Sequence, residues 1–226
     1  MQDPGYQPRL PWGDIQMNLL VIGATGPLGQ EIVSSALVAN HEVTALVRDR
    51  AKTAFPAVVK VAQGDVLNPS SLAEAIRGQD AVISSLGSKL SFKPMTLLSE
   101  GTRNVVISMR KAGVRRFICI TGIGAGDSKG HGGFVYDHIV QPLLLNEVYK
   151  DKTRQENVVR DSGLDWTIVR PAQLTNGSAR GAGVYRVLSD LTGVTATKIA
   201  RKDVAAFTVD LLATQSHQRE ALLVTY

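Results

Sequence analysis

The sequence predicts an α/β protein: a doubly wound, mostly parallel sheet with helices on both faces and a small C-terminal cap. Three observations predict it. Short apolar runs alternate with amphipathic stretches of helical spacing, the pattern of βαβ units. A glycine cluster, Gly23 to Gly29, follows the first apolar run and opens the first helix. Only about 55 residues follow the sixth strand, too few for a second domain of ordinary size.

The elements follow in order. Asn18–Ile22 is the first strand, and Gly26–Asn40 carries Leu28, Ile32, Val33, Leu37 and Val38 at helical spacing. Glu42–Val47 and Val58–Gln63 read as strands two and three. Asn68 or Ser70 caps a short helix that runs to Ile76 and stops at Gly78. Ala81–Ser84 is strand four, Leu97–Ala112 a helix with Gly113 as its stop, and Arg116–Ile120 strand five. A long helix is expected over Pro142–Ser162, then strand six at Asp165–Arg170. The tail offers a strand at Val184–Leu188, a helix near Asp203–Ala213 and a last strand at Leu222–Thr225. Two loops after strand ends stand out, Gly122–Gln141 and Ala172–Ala182, because open parallel sheets bind ligands there.

Composition excludes several classes. The chain has 226 residues, 44% hydrophobic and 20% charged, which is ordinary for a globular protein and excludes disorder and fibres. No apolar run reaches the roughly 18–20 residues of a membrane span. Met1–Gln16 carries Pro4, Pro8 and Pro11 and is expected to be an extended leader or expression remnant, not a secretory signal. Residues 17–226 are expected to form one domain. Cys119 is the sole cysteine, which excludes a disulfide framework and a cysteine-based zinc site and favours a reducing, cytoplasmic setting. The net charge of +5 is scattered, and aromatics are 5%, so no nucleic-acid footprint is expected.

The glycine turn is the most informative segment. Gly23-Ala24-Thr25-Gly26-Pro27-Leu28-Gly29 stands where a strand gives way to a helix, as a dinucleotide fingerprint requires. Glycine admits a sharp turn and a close approach to pyrophosphate, the helix N-terminus offers unpaired N–H groups, and Gly29 admits close helix-on-strand packing. This is the signature of a Rossmann-type fold. An NAD site wants an acid after strand two for the ribose 2′-OH. Here Arg48 comes first, suited to fork onto a 2′-phosphate, with Asp49 as a rival acid among Arg48, Arg50 and Lys52. NADP(H) is therefore the expected cofactor. Asp65 and Val66, after strand three, fit an adenine amino group and ring, and Asp65 equally fits a cap or turn. Ser85, Leu86 and Gly87, after strand four, fit cofactor passage or a plain turn.

The segments VIGATGPLG, ALVRD, QGDV, DAVISSLG, SGLDWTIVRPAQLTNG and RKDVAA together resemble the atypical short-chain dehydrogenase/reductase superfamily. Within it the chain is most similar to small NAD(P)H-binding proteins related to biliverdin reductase B (a flavin reductase) and to NmrA-like regulators. The resemblance implies nicotinamide near Thr121, Gly122, Pro171 and Ala172. It also implies a Tyr-x-x-x-Lys pair, from which the chain departs: Tyr136 is followed four places on by Val140, and Tyr149 by Thr153. Lys152 lies where some members hold the nicotinamide ribose or protonate an oxyanion, though it also suits an i+4 pair with Glu156. Thr121 is expected to donate to a substrate or to close its strand. Tyr136, His131 and His138 are placed to stack on or protonate a planar substrate, or to pack. No metal site and no G-x-S-x-G elbow is found. The resulting expectation is an NADPH-dependent reductase of a flavin, quinone, tetrapyrrole or carbonyl compound. Its alternative is a redox-sensing NADP(H) binder, and a lesser one a nucleotide-sugar epimerase or dehydratase. The expected partner is a small planar or carbonyl substrate, with no nucleic acid or membrane, and the expected state a monomer or homodimer.

Overall fold

A computed structural model describes residues 16–214 and 216–226. The leader expected over residues 1–16 lies outside the described residues apart from Gln16.

Seven parallel strands and one antiparallel strand form the main sheet. They are β1 (Asn18–Ile22), β2 (Glu42–Val47), β3 (Lys60–Gln63), β4 (Ala81–Ser84), β5 (Arg116–Ile120), β6 (Asp165–Pro171), β8 (Arg186–Leu188) and β10 (Glu220–Thr225). Their spatial order is β3-β2-β1-β4-β5-β6-β10-β8, with β8 antiparallel to β10. Between β6 and β8 comes β7 (Gln173–Thr175), which pairs with β9 (Lys198–Ala200) in a separate two-stranded ribbon. Ile199 of that ribbon packs into the same core as Leu19 and Val21 of the main sheet.

Alternation along the strands builds two cores. Leu19 and Val21 point to one face, covered by α1 (Pro27–Val38) and α5 (Arg201–Ala213) through Ile32, Val33, Val204 and Val209. Leu20 and Ile22 point to the other, covered by α2 (Pro69–Ile76), α3 (Leu97–Ala112) and α4 (Asn146–Arg160) through Leu72, Met109 and Val159. A sheet buried on both faces explains why its strands read as continuous apolar runs. Asn68 caps α2 through the Ser70 amide (3.2 Å), and Gly113 ends α3 in the left-handed region at φ +75°. The start of α3 is capped from outside its own sequence. The fully buried Asp151 of α4 accepts from the Leu98 amide (2.8 Å) and the Ser99 hydroxyl (2.5 Å).

Four expectations need correction. The helix expected from Pro142 begins six residues earlier, as wide π-type turns over Tyr136–Leu145 that lead into α4. Pro142 has no N–H to give and does not end the helix, since these turns absorb the missing bond. The glycine-rich loop is correspondingly shorter. Strand three starts at Lys60, not Val58, because a turn closed by the Val59 amide on the Pro56 carbonyl (2.9 Å) takes the preceding residues. The strand expected from Val184 starts at Arg186, after a turn at Gly181. The ribbon of β7 and β9 was not expected; three residues per strand are too few for a periodicity to show. Among the described residues, no helix is long and apolar enough to cross a membrane.

Candidate active site

The sheet reverses its winding between β1 and β4, which leaves a crevice at their C-terminal ends. The glycine turn sits at its mouth. Gly23 has φ +77°, a conformation that side chains rarely adopt, and a β-carbon there would lie 2.6 Å from the Ser85 carbonyl oxygen. The Gly26 amide closes the turn on the Gly23 carbonyl (3.0 Å). Gly26 is the N-cap of α1 and supplies no capping side chain, while Pro27 takes the first helical position. The amides of the first turn are thus left for a ligand. Thr25 is exposed and Leu28 buried. A β-carbon on Gly29 would stand 2.1 Å from the Gly23 carbonyl oxygen, so only glycine admits this approach of helix to turn. Ser85 locks the neighbouring loop onto the turn, its amide and hydroxyl both donating to the Ile22 carbonyl (2.9 and 3.1 Å). Leu86 leans on Gly101 of α3, and the space beside Gly87 is open. These features fit a dinucleotide pyrophosphate.

At the end of β2 the rival side chains separate. Asp49 accepts from the Ala51 amide (3.0 Å), and Arg50 donates to the Val61 carbonyl (2.7 Å). Arg48 is exposed, and its guanidinium makes no hydrogen bond among the described residues. Asp65 takes its turn-forming role, accepting from the Leu67 amide (2.9 Å). Val66 is buried against Gly101, so its side chain faces α3 and not the crevice.

The other end of the crevice is built by β5, β6 and α4. Thr121, just past β5, is buried, and its hydroxyl donates to Glu156 (2.7 Å). Its only hydroxyl proton is therefore turned away from a substrate, contrary to the expected donor role. Lys152 donates to the Thr121 carbonyl (2.6 Å) and forms no ion pair with Glu156 among the described residues. The i+4 pairing is overridden because Glu156 is taken by the Arg170 Nε and Nη2 (3.0 and 2.5 Å), and Arg170 also meets Asp127. Burial pushes the Lys152 ammonium below its ordinary pKa, opposed by the nearby charges of Glu156 and Asp151. Tyr136 donates to the Ile123 carbonyl (3.3 Å) and meets Tyr149 edge-on at 6.3 Å. Burial, and then the neighbouring phenol, push Tyr136 above its ordinary value, and burial does the same to Tyr149. The Tyr149 hydroxyl reaches Gly122, 3.1 Å from where a β-carbon would stand.

Pro171 accepts from the Ile123 amide (3.1 Å), and the buried Ala172 donates to Val224 (3.0 Å), so both are held by backbone bonds at the rim. His131 bonds the Val194 carbonyl and so ties the loop to the C-terminal part of the chain, while His138 bonds that of Phe134 within the loop. Among the described residues no cluster of His, Cys, Asp or Glu is suited to a metal. Cys119 is buried, and burial pushes its thiol up to about 12. Sequence reasoning named Tyr149 and Glu156 without giving them a part in the site, and it missed Arg170 and Asp127. One signal was present: a buried strand that carries Arg170 needs a buried acid somewhere to hold it.

Residues 23–215 match the model of a family described as NAD(P)H-binding. An uncharacterized chloroplastic protein of Arabidopsis thaliana is 34% identical over 178 residues, 72% of this chain and 61% of that protein. The chain thus spans about three fifths of that relative's length. The NAD(P)H azoreductase of Xenophilus azovorans is 28% identical over 92% of this chain and 67% of its own. Among solved structures, an anaerobillin reductase from Escherichia coli O157:H7 shares the fold with a TM-score of 0.76 and 24% identity, over 92% of this chain and 96% of that one. A match that starts at Gly23, the turn shaped for a pyrophosphate, and runs through most of the chain makes this protein a member of the family described as NAD(P)H-binding.

Proposed function

We propose that the protein is an NADPH-dependent reductase that passes hydride to a flavin, quinone, tetrapyrrole or carbonyl acceptor. The end of β2 carries the NADPH reading. Asp49 is committed to the Ala51 amide while Arg48 is exposed, so a 2′-phosphate meets a guanidinium fork there and not a carboxylate. The azoreductase relative supports the reaction class.

The bound nicotinamide supplies the hydride chemistry. The chain's own residues bind and orient. The α1 amides and Gly23 cradle phosphate, Ser85 fixes the β4 loop against that turn, and Lys152 holds donors at the far end of the crevice. A small planar or carbonyl substrate would enter beside Tyr136 and Gly122. The single buried thiol supports a reducing, cytoplasmic setting.

Arg48→Ala tests the cofactor reading. A charge-assisted hydrogen bond is worth about 1.5–3 kcal/mol, so NADPH should bind roughly ten- to a hundredfold more weakly while NADH binding holds. Equal losses for both nucleotides would refute the assignment. A second reading, a non-catalytic NADP(H) sensor, is favoured by one observation: the Thr121 and Tyr136 protons are both spent inside the protein. NADPH consumption with any acceptor of the four classes separates the two.

A further inference from the structure

One face of α4 holds the loop that follows β5. Tyr149, Lys152, Thr153, Glu156 and Arg160 lie three or four residues apart and share that face. Each meets the loop. The Tyr149 hydroxyl abuts Gly122, Lys152 donates to the Thr121 carbonyl, and Thr153 Oγ1 accepts from the Gly126 amide (3.1 Å). Arg160 reaches Asp127 at 3.5 Å. Glu156 is central. It is 1% exposed, accepts from the Thr121 hydroxyl and the Arg170 guanidinium, and lies 2.7 Å from where a β-carbon on Gly126 would stand.

A carboxylate only accepts hydrogen bonds, and a threonine hydroxyl has one proton. With that proton on Glu156, the Thr121 oxygen has lone pairs alone to offer. We propose that Glu156 is a positioning residue that makes Thr121 a hydrogen-bond acceptor. The end of β5 then recognises a donor on the bound nucleotide, a ribose hydroxyl or a carboxamide NH2, and gives no help to a substrate oxyanion. This rests on the reading of the crevice as an NADP(H) site. Arg170 makes the polarity switchable. Arg170 donates to both carboxylate oxygens, Nη2 to Oε2 (2.5 Å) and Nε to Oε1 (3.0 Å), and Oε1 also takes the Thr121 proton. In Glu156→Gln the amide oxygen keeps the shorter contact, with Nη2, so the NH2 stands at the Oε1 position, gives up the Nε contact, donates to Thr121 and reverses its hydroxyl.

A double-mutant cycle on NADPH binding tests this. Thr121→Val removes the acceptor without touching the Glu156–Arg170 pair and should weaken NADPH about three- to tenfold, the range of one neutral hydrogen bond. Thr121→Ser keeps the hydroxyl and should stay near the parent. Glu156→Gln should lose as much as Thr121→Val in the parent and almost nothing further in the Thr121→Val background. A merely structural Glu156 would give additive losses in NADPH binding, the fall in melting temperature from the broken Arg170 pair being common to both readings. Additive losses, or a Thr121→Val protein that binds NADPH like the parent, would overturn the proposal. Should Glu156→Gln fail to fold, the Val and Ser variants of Thr121 still decide. A parent protein that binds no NADPH would overturn the cofactor reading, and the proposal with it.

Discussion

Gly29→Ala joins the stability of the fold to the binding of nucleotide. A β-carbon at Gly29 would stand 2.1 Å from the Gly23 carbonyl oxygen and 2.8 Å from the Ala24 α-carbon. Comfortable contacts between heavy atoms lie near 3.5–4.0 Å, so the two backbones must separate by more than about 1 Å. Neither neighbour is a side chain that can swing aside. Overpacking of this kind costs typically 1–3 kcal/mol, at the upper end where backbone must move. Alanine returns at most about 1 kcal/mol in helix propensity. The steric effect wins, with a net loss near 2 kcal/mol, or roughly 4–8 °C in melting temperature for a domain of this size. The atoms displaced are those of the phosphate turn, so NADPH affinity should fall at least tenfold. Gly87→Ala is the matched control, since no atom lies within 4 Å of a β-carbon there, and it should leave stability unchanged. Thermal unfolding and NADPH titration read both effects. A Gly29→Ala protein that melts at or above the parent and binds NADPH normally would refute the close-approach argument.

Two further outcomes concern carboxylates that hold distant partners, the buried Asp151 and the exposed Asp127. Asp151→Ala removes the carboxylate that caps α3 through Leu98 and Ser99 and should cost about 2 kcal/mol in urea unfolding, the scale of a lost cap plus an orphaned donor; a loss below about 0.5 kcal/mol would sink that role. At Asp127, burial pushes the carboxyl up, but the hydrogen bond and charge of Arg170 and the charge of Arg160 outweigh it and hold it below its ordinary 3.8. A depressed folded value means stabilisation that is present above about pH 4 and lost as pH falls through that value. Asp127→Asn should therefore flatten the acid limb of the melting-temperature profile, and parallel profiles for parent and variant would count against it.

The parts of the molecule that could be read from the chain are those set by local sterics and period. Gly23 and Gly29 declare a turn that only glycine can make, and the unbroken apolar run of Leu19–Ile22 declares a strand buried on both faces. Asn68 and Gly113 mark their helix ends for the same local reasons. What could not be read depends on which long-range partner wins. Nothing near Asp151 in sequence says that it caps a helix begun some fifty residues earlier. Pro142 looks like a helix start because an N–H-free residue is tolerated there, yet wide turns accommodate it in mid-helix. Lys152 and Glu156 look like a surface pair by spacing, but Arg170 offers a fork of donors where Lys152 offers a point charge, and the fork takes the carboxylate.

That competition bears on the chemistry. Once Arg170 has claimed Glu156, Thr121 gives its proton inward and Lys152 turns to the Thr121 carbonyl. Tyr136 is bonded to Ile123, and burial makes both phenols weaker acids. Lys152 is the exception, since burial lowers its pKa and makes its ammonium the readier acid. A carbonyl acceptor, which needs a proton delivered to a developing alkoxide, would thus have to draw on Lys152 alone among these four. A flavin or quinone, which solvent can protonate, asks only that the nicotinamide be held and water be kept from it. A site whose polar groups are spent on holding one loop in place is better matched to the second demand.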